Sequence, residues 1–289
     1  MSGLFTEKAP VKINLSLKVK GRRHDGYHEL QSLVVFVDCG ESLRAEAAAA
    51  LSLNITGPFA GLLAGEQNNL VLEAVRLFDE YTGLTTSAEF TLDKQVPVAS
   101  GIGGGSADAA AALRLLCRYH DHPVKSHALA ALGLCIGADV PVCLEARPAL
   151  MWGKGELLTR LDTLPDFWLV LVNPRVAVST AEVFKALDAA PLAEKEEGPD
   201  VPDFVDLAAL VGWLIAHGND LEAPAKTIAP AIADVLAALS ATDGCKLARM
   251  SGSGATCFGL YADEASATRA AAALRVTHPD WWVAAAPRI

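Results

Sequence analysis

The segment of this chain best suited to chemistry is a glycine-rich run at residues 97–108, with the sequence PVASGIGGGSAD. Alternating apolar residues before it predict a strand over 89–96, and the alanine-rich stretch after it predicts a helix over 109–119. Adjacent glycines let backbone N–H groups approach an anion, and a helix start adds partial positive charge. The pattern therefore predicts a phosphate cradle, and a glycine turn without a ligand is the alternative.

Two common nucleotide-binding motifs do not fit this loop. A P-loop ends in Gly-Lys-Ser or Gly-Lys-Thr, and no lysine follows these glycines. A dinucleotide fingerprint needs Gly or Ala where this chain has Ser106, and an acidic residue at the end of a strand about 20 residues later. Asp108 fits a phosphate site poorly because its carboxylate would repel the anion. We expect its side chain to point outward and to complement the first helical turn.

A second small-residue loop, SGSGA, occupies residues 251–255 between two predicted strands. Alone it indicates only a tight turn. Together with the first loop, it could close the other side of a phosphate site.

The chain begins with a predicted hairpin. Strict alternation over 9–19 predicts a strand with Lys12 and Asn14 on one face, and Asp25-Gly26 supplies the turn into a second strand over 30–37. Without a functional role, Lys12 is expected to be a solvent-exposed lysine on this strand.

Asp139 lies in a predicted loop after a helix over 125–136, and Pro141 prevents that helix from continuing. A segment over 189–203, rich in proline and acidic residues, predicts a loop or hinge. The last third of the chain reads as strand, turn, strand, helix, strand. Strands and helices alternating in this way predict an α+β protein.

The composition argues against several classes of protein. A formal net charge of −10 disfavours a nucleic-acid partner, which would need clustered Lys and Arg. No apolar run approaches the roughly 18 residues of a membrane span, and the first eight residues lack a signal core, so we expect a cytoplasmic protein with no membrane partner. The six cysteines form no C-x-x-C pair and read as buried, reduced thiols.

Three segments together resemble the three motifs of the GHMP kinases: residues 9–15 (APVKINL), 97–110 and 251–256. Two more, 21–31 (GRRHDGYHELQ) and 137–141 (GADVP), are similar to the branch of that family whose substrate is an alcohol carrying cytidine diphosphate. That branch supplies isoprenoid precursors by the non-mevalonate route. The resemblance spans nearly the whole chain, and the combination of motifs is far more specific than any one alone.

The resemblance implies a two-lobed fold, with an N-terminal βαβ-rich lobe over 1–150 that binds ATP and a ferredoxin-like C-terminal lobe over 151–289. It implies that the terminal phosphoryl group of ATP passes to a hydroxyl of the small-molecule substrate. Asp139 is then the catalytic carboxylate that accepts the hydroxyl proton, and Lys12 is its cationic neighbour. Without the resemblance, Asp139 would pass as an ordinary loop carboxylate.

The resemblance also implies two sets of binding residues. Tyr27 would stack on the cytosine, His28 would hydrogen bond to it, and Phe184 could supply the opposing ring. The implied substrate-binding residues are Asn14, Tyr27, His28, Thr180 and Phe184. The implied ATP-binding residues are Asn69, Lys94, Pro97, Gly101, Gly103, Gly104, Gly105, Ser106, Gly252 and Ser253.

Magnesium is expected because it neutralises the phosphates of ATP, with Ser106 as the one protein ligand that can be named. Many family members carry Ser-Ser-Asn where this chain has residues 106–108, SAD, so this chain departs from the family pattern at residues 107 and 108.

Two alternatives stay open. Another GHMP kinase acting on homoserine, mevalonate or a sugar is disfavoured by Tyr27, His28 and Asp139. A nucleotide-binding regulator without chemistry is disfavoured by the presence of both Lys12 and Asp139. Oligomeric state is left open.

Overall fold

The structure is a computed structural model that describes residues 4–63, 68–192 and 203–289. Most of the loop predicted over 189–203 thus lies outside the described residues. The strands are β1 (Phe5–Lys8), β2 (Val11–Asn14), β3 (Lys18–Arg22), β4 (His28–Val37), β5 (Ser42–Ala47), β6 (Ser52–Thr56), β7 (Ala88–Asp93), β8 (Ala149–Gly153), β9 (Leu157–Arg160), β10 (Trp168–Asn173), β11 (Leu247–Met250), β12 (Cys257–Tyr261) and β13 (Trp282–Pro287).

The helices follow the same chain order, and a short 3-10 turn spans Ala60–Leu63. They are α1 (Leu70–Thr82), α2 (Gly104–Tyr119), α3 (Ser126–Ile136), α4 (Val140–Glu145), α5 (Thr180–Leu187), α6 (Leu207–His217), α7 (Glu222–Ile228), α8 (Ala231–Ser240) and α9 (Glu264–Thr277). Within the described ranges, no helix is long and apolar enough to cross a membrane.

The described chain forms two compact units, each assembled from several segments. Unit 1 draws on the described residues of 1–11, 38–98 and 103–146, and unit 2 on those of 12–37, 99–102 and 147–289. The division into consecutive lobes over 1–150 and 151–289 stays a prediction.

Unit 1 contains one four-stranded sheet in the order β1-β5-β7-β6, in which β6 and β7 run parallel. Its α1 helix shows how neighbouring residues fix the ends of a helix. The Asn69 side chain accepts a hydrogen bond from the Val71 backbone N–H at 2.9 Å, which caps the helix start. Gly83, at φ 71°, ends it in the left-handed conformation that glycine adopts without a steric penalty. Val71, Val75 and Phe78 line its buried face.

Helix α2 begins at Gly104, five residues before the predicted start at residue 109. Glycine has poor intrinsic helix propensity, so the sequence favoured a loop over this stretch. Close packing explains the difference. A Cβ at Gly105 would lie 3.3 Å from Leu70 Cδ1, which is closer than ordinary van der Waals contact. Because glycine has no side chain, the first turn of α2 can pack closely against Leu70 at the start of α1.

Unit 2 contains two sheets. One has the order β2-β4-β8-β9, with β3 paired to β4, and the other the order β11-β12-β10-β13. The second is antiparallel throughout, with α8 and α9 packed on it. Its chain order and strand order are those of a ferredoxin-like fold, and this prediction is confirmed. Its core is apolar and includes Val170, Val172, Ile232, Leu239 and Tyr261.

The first predicted strand was wrong in its extent and in the exposure of Lys12. The strand predicted over 9–19 divides into β2 and β3, and residues 11–17 are all buried, so Lys12 is not an exposed strand lysine. Between the two strands, the Leu17 N–H donates to the Gly218 carbonyl at 3.0 Å. The predicted end of the helix over 125–136 is confirmed, because α3 ends at Ile136. Pro141 lies in the first turn of the next helix, α4, where its missing N–H has no intrahelical partner to lose.

Candidate active site

The predicted phosphate cradle is the start of α2 in unit 1. Gly103 occupies the N-cap position at φ 64°, and no side chain caps this end of the helix. In an α-helix the first backbone N–H groups, here of Gly104, Gly105 and Ser106, have no intrahelical acceptor. These donors and the helix dipole favour an anion such as phosphate at this end.

The glycines of the cradle are also required for packing. A Cβ at Gly104 would lie 3.2 Å from Lys94 Nζ and 3.3 Å from Val96 Cγ2. The side-chain direction of residue 104 therefore points into the protein. Any ligand would meet the backbone of this turn.

Beneath this turn lies a buried charge cluster formed by Glu41, Lys94 and Asp108. Lys94 Nζ is 2.7 Å from Asp108 Oδ2 and 2.8 Å from Glu41 Oε1. The expectation that Asp108 points outward was wrong, because its carboxylate is held inside by the Lys94 ammonium. Turned inward in this way, Asp108 is directed away from a phosphate at the end of the helix.

Burial of this cluster changes its protonation. Burial, and then the charge of Asp108, raises the pKa of Glu41 to about 7. Burial also raises the pKa of Asp108, although Lys94 opposes the change. Burial alone would lower the pKa of Lys94, but the two carboxylates more than offset it and its pKa is raised. One oxygen of each carboxylate, Glu41 Oε2 and Asp108 Oδ1, has no hydrogen-bond partner among the described residues.

Three more predicted residues belong to unit 1. Asn69 caps α1 through its side-chain oxygen, and Pro97 is buried directly before the glycine loop. Asp139 is half-buried at the N-cap position of α4, where its side chain makes no capping hydrogen bond.

Unit 2 brings the three motif segments together by backbone contacts. The Lys12 N–H donates to the Ile102 carbonyl at 3.1 Å. The Ser251 hydroxyl accepts from the Asn14 N–H at 3.0 Å and donates to the Gly101 carbonyl at 3.2 Å. Ser251 therefore joins residues that are 237 and 150 positions away in the chain.

The glycines at this junction allow one backbone to touch another. A Cβ at Gly101, whose φ is 75°, would lie 2.6 to 2.7 Å from Gly254 O, Gly254 N and Ser251 O. A Cβ at Gly252 would lie 2.8 Å from the Gly101 carbonyl oxygen. Real Cβ atoms do not approach so closely, so these two glycines are needed for the junction to form.

Asn14 is buried inside this junction. Its side-chain nitrogen donates to the Ser32 hydroxyl at 2.7 Å, and its side-chain oxygen has no partner among the described residues. Ser253 and Thr180, predicted for ATP and substrate respectively, are brought together by a 2.8 Å hydrogen bond between their hydroxyls.

Of the predicted base-binding residues, Tyr27 directly precedes β4, His28 begins it, and Phe184 lies in α5. His28 and Phe184 stack at 4.6 Å between ring centroids, with 24° between the planes. Tyr27 is 58% exposed, and Lys154 Nζ lies 4.9 Å from its ring centroid. Burial, and then the charge of Arg22, lowers the pKa of His28, so a neutral imidazole is favoured near pH 7. A neutral imidazole can both donate and accept a hydrogen bond.

The donors at the cradle fit a magnesium nucleotide. Ser106 is half-buried in the first turn of α2 and offers one hydroxyl. Magnesium bound to a nucleotide takes most of its oxygens from phosphates and water, so a single protein hydroxyl suffices. In the part of the chain that the structure describes, no group of three or more His, Cys, Asp or Glu could hold a metal alone.

Sequence reasoning missed Glu41 and Ser251. No local pattern marks Glu41, because its partners come from other segments of the chain. Ser251 lies beside the predicted Gly252, but its hydrogen bonds to Asn14 and Gly101 appear only in the fold. Lys12 and Asp139 belong to different units, so their catalytic pairing stays a prediction.

Comparison with known proteins gives consistent matches. The family models "GHMP kinases N terminal domain" and "GHMP kinases C terminal" match residues 69–147 and 173–279. The 4-diphosphocytidyl-2-C-methyl-D-erythritol kinase of Parvibaculum lavamentivorans is 54% identical over 283 residues, which is 98% of both chains. A crystal structure of 4-(cytidine 5'-diphospho)-2C-methyl-D-erythritol kinase superposes with a TM-score of 0.78 at 34% identity, covering 98% of both chains. Homoserine kinase from Cytophaga hutchinsonii, at 17% identity and a TM-score of 0.68 over 100% of this chain and 95% of its own, shares the fold.

Proposed function

The chain belongs to the GHMP kinases, and we propose that it transfers the terminal phosphoryl group of ATP to the 2-hydroxyl of 4-diphosphocytidyl-2-C-methyl-D-erythritol. The observation that carries this proposal is the 54% identity to a curated kinase of that name across 98% of both chains. The reaction belongs to the non-mevalonate route to isoprenoid precursors. Because the donor is ATP, we expect the protein to act in the cytoplasm.

Asp139 is the proposed general base. Its carboxylate accepts the proton of the substrate hydroxyl, whose oxygen forms a bond to the γ-phosphorus. The bond from that phosphorus to the bridging oxygen breaks, and ADP leaves. The Lys12 ammonium stabilises negative charge during the transfer. Burial of Lys12 supports its proposed role, because a lysine is almost never fully buried unless its charge is paired.

The start of α2 is the proposed seat for the ATP phosphates. Free N–H groups at residues 104–106 and the helix dipole both favour an anion there. When bound, magnesium would neutralise phosphate charge, and the Ser106 hydroxyl would be its protein ligand. Gly252, Ser253 and Asn69 stay predicted ATP contacts, and Lys94 stays a residue predicted to serve ATP binding.

Tyr27, His28 and Phe184 are proposed to select the cytosine base. The neutral His28 ring can pair with a base edge that carries both a donor and an acceptor. Tyr27 offers an exposed aromatic face, and base stacking on such a face favours any base. Discrimination between cytosine and uracil therefore falls to His28. Asn14 and Thr180 are proposed further contacts to the alcohol.

The proposal is tested by ATP consumption with a panel of acceptors: the cytidine diphosphate alcohol, its uridine counterpart, homoserine, mevalonate and galactose. We expect rapid turnover with the cytidine compound alone. Preference for homoserine, mevalonate or galactose would assign the chain to another GHMP activity. If ATP binds and no acceptor is consumed, the chain is a nucleotide-binding protein without chemistry.

A further inference from the structure

The cluster of Glu41, Lys94 and Asp108 has no assigned role in the proposed reaction. Glu41 directly precedes β5, Lys94 directly follows β7, and Asp108 lies in the second turn of α2. In the sheet, Ser42 pairs with Asp93, so the first two side chains extend from neighbouring strand ends. The Lys94 ammonium therefore connects two strand ends to the start of one helix.

The cluster also touches the cradle itself. The Cβ direction of Gly104, the first residue of α2, points at Lys94 Nζ from 3.2 Å, and Glu41 Oε2 lies 3.7 Å from the same position. The Val96 N–H, in the chain that leads into the glycine loop, donates to Glu41 Oε1 at 3.3 Å. The Glu41 carboxylate and the Lys94 ammonium therefore contact both segments that flank the glycine loop in unit 1: the chain at Val96 before it and the start of α2 after it.

This arrangement differs from a lysine that contacts phosphate directly. Lys94 is 3% exposed, and its ammonium already faces two carboxylates at hydrogen-bonding distance. An ammonium so engaged has little capacity left for an anionic ligand, since it has only three N–H donors. Its contacts instead restrict where the first turn of α2 can lie.

We propose that Glu41 is a positioning residue for ATP binding. It acts through Lys94 to hold the first turn of α2 in place beside the ends of β5 and β7. The inference rests on the proposed function, because it assigns the ATP phosphates to that turn. It assigns Lys94 a positioning role as well. Neither residue touches the reacting atoms in this account.

The test uses Glu41→Gln, which keeps the shape of the side chain and removes its charge. We expect the Kd for a non-hydrolysable ATP analogue, and the KM for ATP, to rise about tenfold, the size typical of losing one charge-assisted hydrogen bond. The KM for the cytidine diphosphate alcohol should stay within twofold of wild type. Unchanged ATP affinity in folded Glu41→Gln would overturn the inference.

Glu7→Gln is the matched control. Glu7 pairs with Arg114 and Arg118 at 2.9 and 2.6 Å, and so attaches the other half of the same helix to β1. Its loss should lower the melting temperature and leave ATP affinity unchanged. If both variants weaken ATP binding equally, the cause is general loosening of α2, and the inference is wrong.

Gly104→Ala provides a second approach if Glu41→Gln does not fold, because its added methyl group would press on Lys94 Nζ. It should raise the KM for ATP without changing that for the alcohol, and an equal change in both would overturn the inference. Wild-type turnover in the same assay separates the two proposals. If the wild-type chain phosphorylates the alcohol and the variants bind ATP normally, only the positioning role of Glu41 is refuted. If the wild-type chain does not bind ATP, both the positioning role and the proposed kinase function are refuted.

Discussion

Replacing Gly101 by alanine tests whether the three motif segments form one rigid junction in unit 2. At φ 75°, an alanine would pay the penalty of the left-handed region, about 1 to 2 kcal/mol. Its Cβ would also lie 2.6 to 2.7 Å from backbone atoms of Gly254 and Ser251. Backbone cannot rotate away as a side chain can, so the segments must separate. Overpacking of this kind typically costs about 1 to 3 kcal/mol more.

Separation would also break the hydrogen bond from the Ser251 hydroxyl to the Gly101 carbonyl, with a net loss of about 1 kcal/mol. The expected total for Gly101→Ala is therefore about 3 to 6 kcal/mol of unfolding free energy. Since Ser251 also holds the Asn14 backbone, kcat/KM should fall with stability.

Gly83→Ala is the matched control for this prediction. Gly83 has nearly the same φ, 71°, but nothing lies within 4 Å of its Cβ position. Gly83→Ala should lower the unfolding free energy only by the conformational penalty, about 1 to 2 kcal/mol, and keep normal kcat/KM. Urea unfolding followed by circular dichroism measures both variants. Equal losses for the two alanines would refute the close junction.

Asp139→Asn should abolish turnover and leave ATP affinity by calorimetry nearly unchanged, because the lost group acts on the substrate proton; near-normal kcat would remove Asp139 from that role. Tyr27→Ala should weaken binding of the cytidine substrate by about 1 to 3 kcal/mol and hardly alter ATP binding. His28→Ala should instead reduce the kcat/KM preference for cytidine over uridine forms; equal losses for both forms, in step with the melting temperature, would argue against base recognition. Because burial raises the pKa of Glu41 from 4.5 to about 7, the folded state keeps a proton that the unfolded chain releases, so this group's contribution to stability falls as pH rises from about 4.5 to about 7. Glu41→Gln should flatten that part of a melting-temperature profile against pH, and an unchanged slope would contradict the assigned shift.

Features encoded by neighbouring residues could be predicted from the sequence. The strand, glycine loop and helix predicted over residues 89–119 rest on local spacing. The order of strands and helices after residue 167 was sufficient to support a ferredoxin-like unit once the family was recognised. Propensity failed at α2, where tertiary packing makes glycines 104 and 105 helical.

Features that depend on distant residues could not be predicted. Nothing beside Asp108 in the sequence indicates that its charge faces inward, because the compensating ammonium is on Lys94, 14 positions earlier. Glu41 and Ser251 were missed for the same reason. Buried Lys12 shows a related error, since alternation predicts two faces of a strand but not whether the polar face is also covered.

The central claim is that this chain forms a phosphate ester on an alcohol whose diphosphate stays intact. Phosphorus NMR of the product mixture, with ATP and 4-diphosphocytidyl-2-C-methyl-D-erythritol as reactants, tests it directly. We expect a new monoester resonance equal in amount to the ADP formed, with the diphosphate resonances of the cytidine compound retained. Free inorganic phosphate in place of the monoester, or ATP left unchanged, would contradict it.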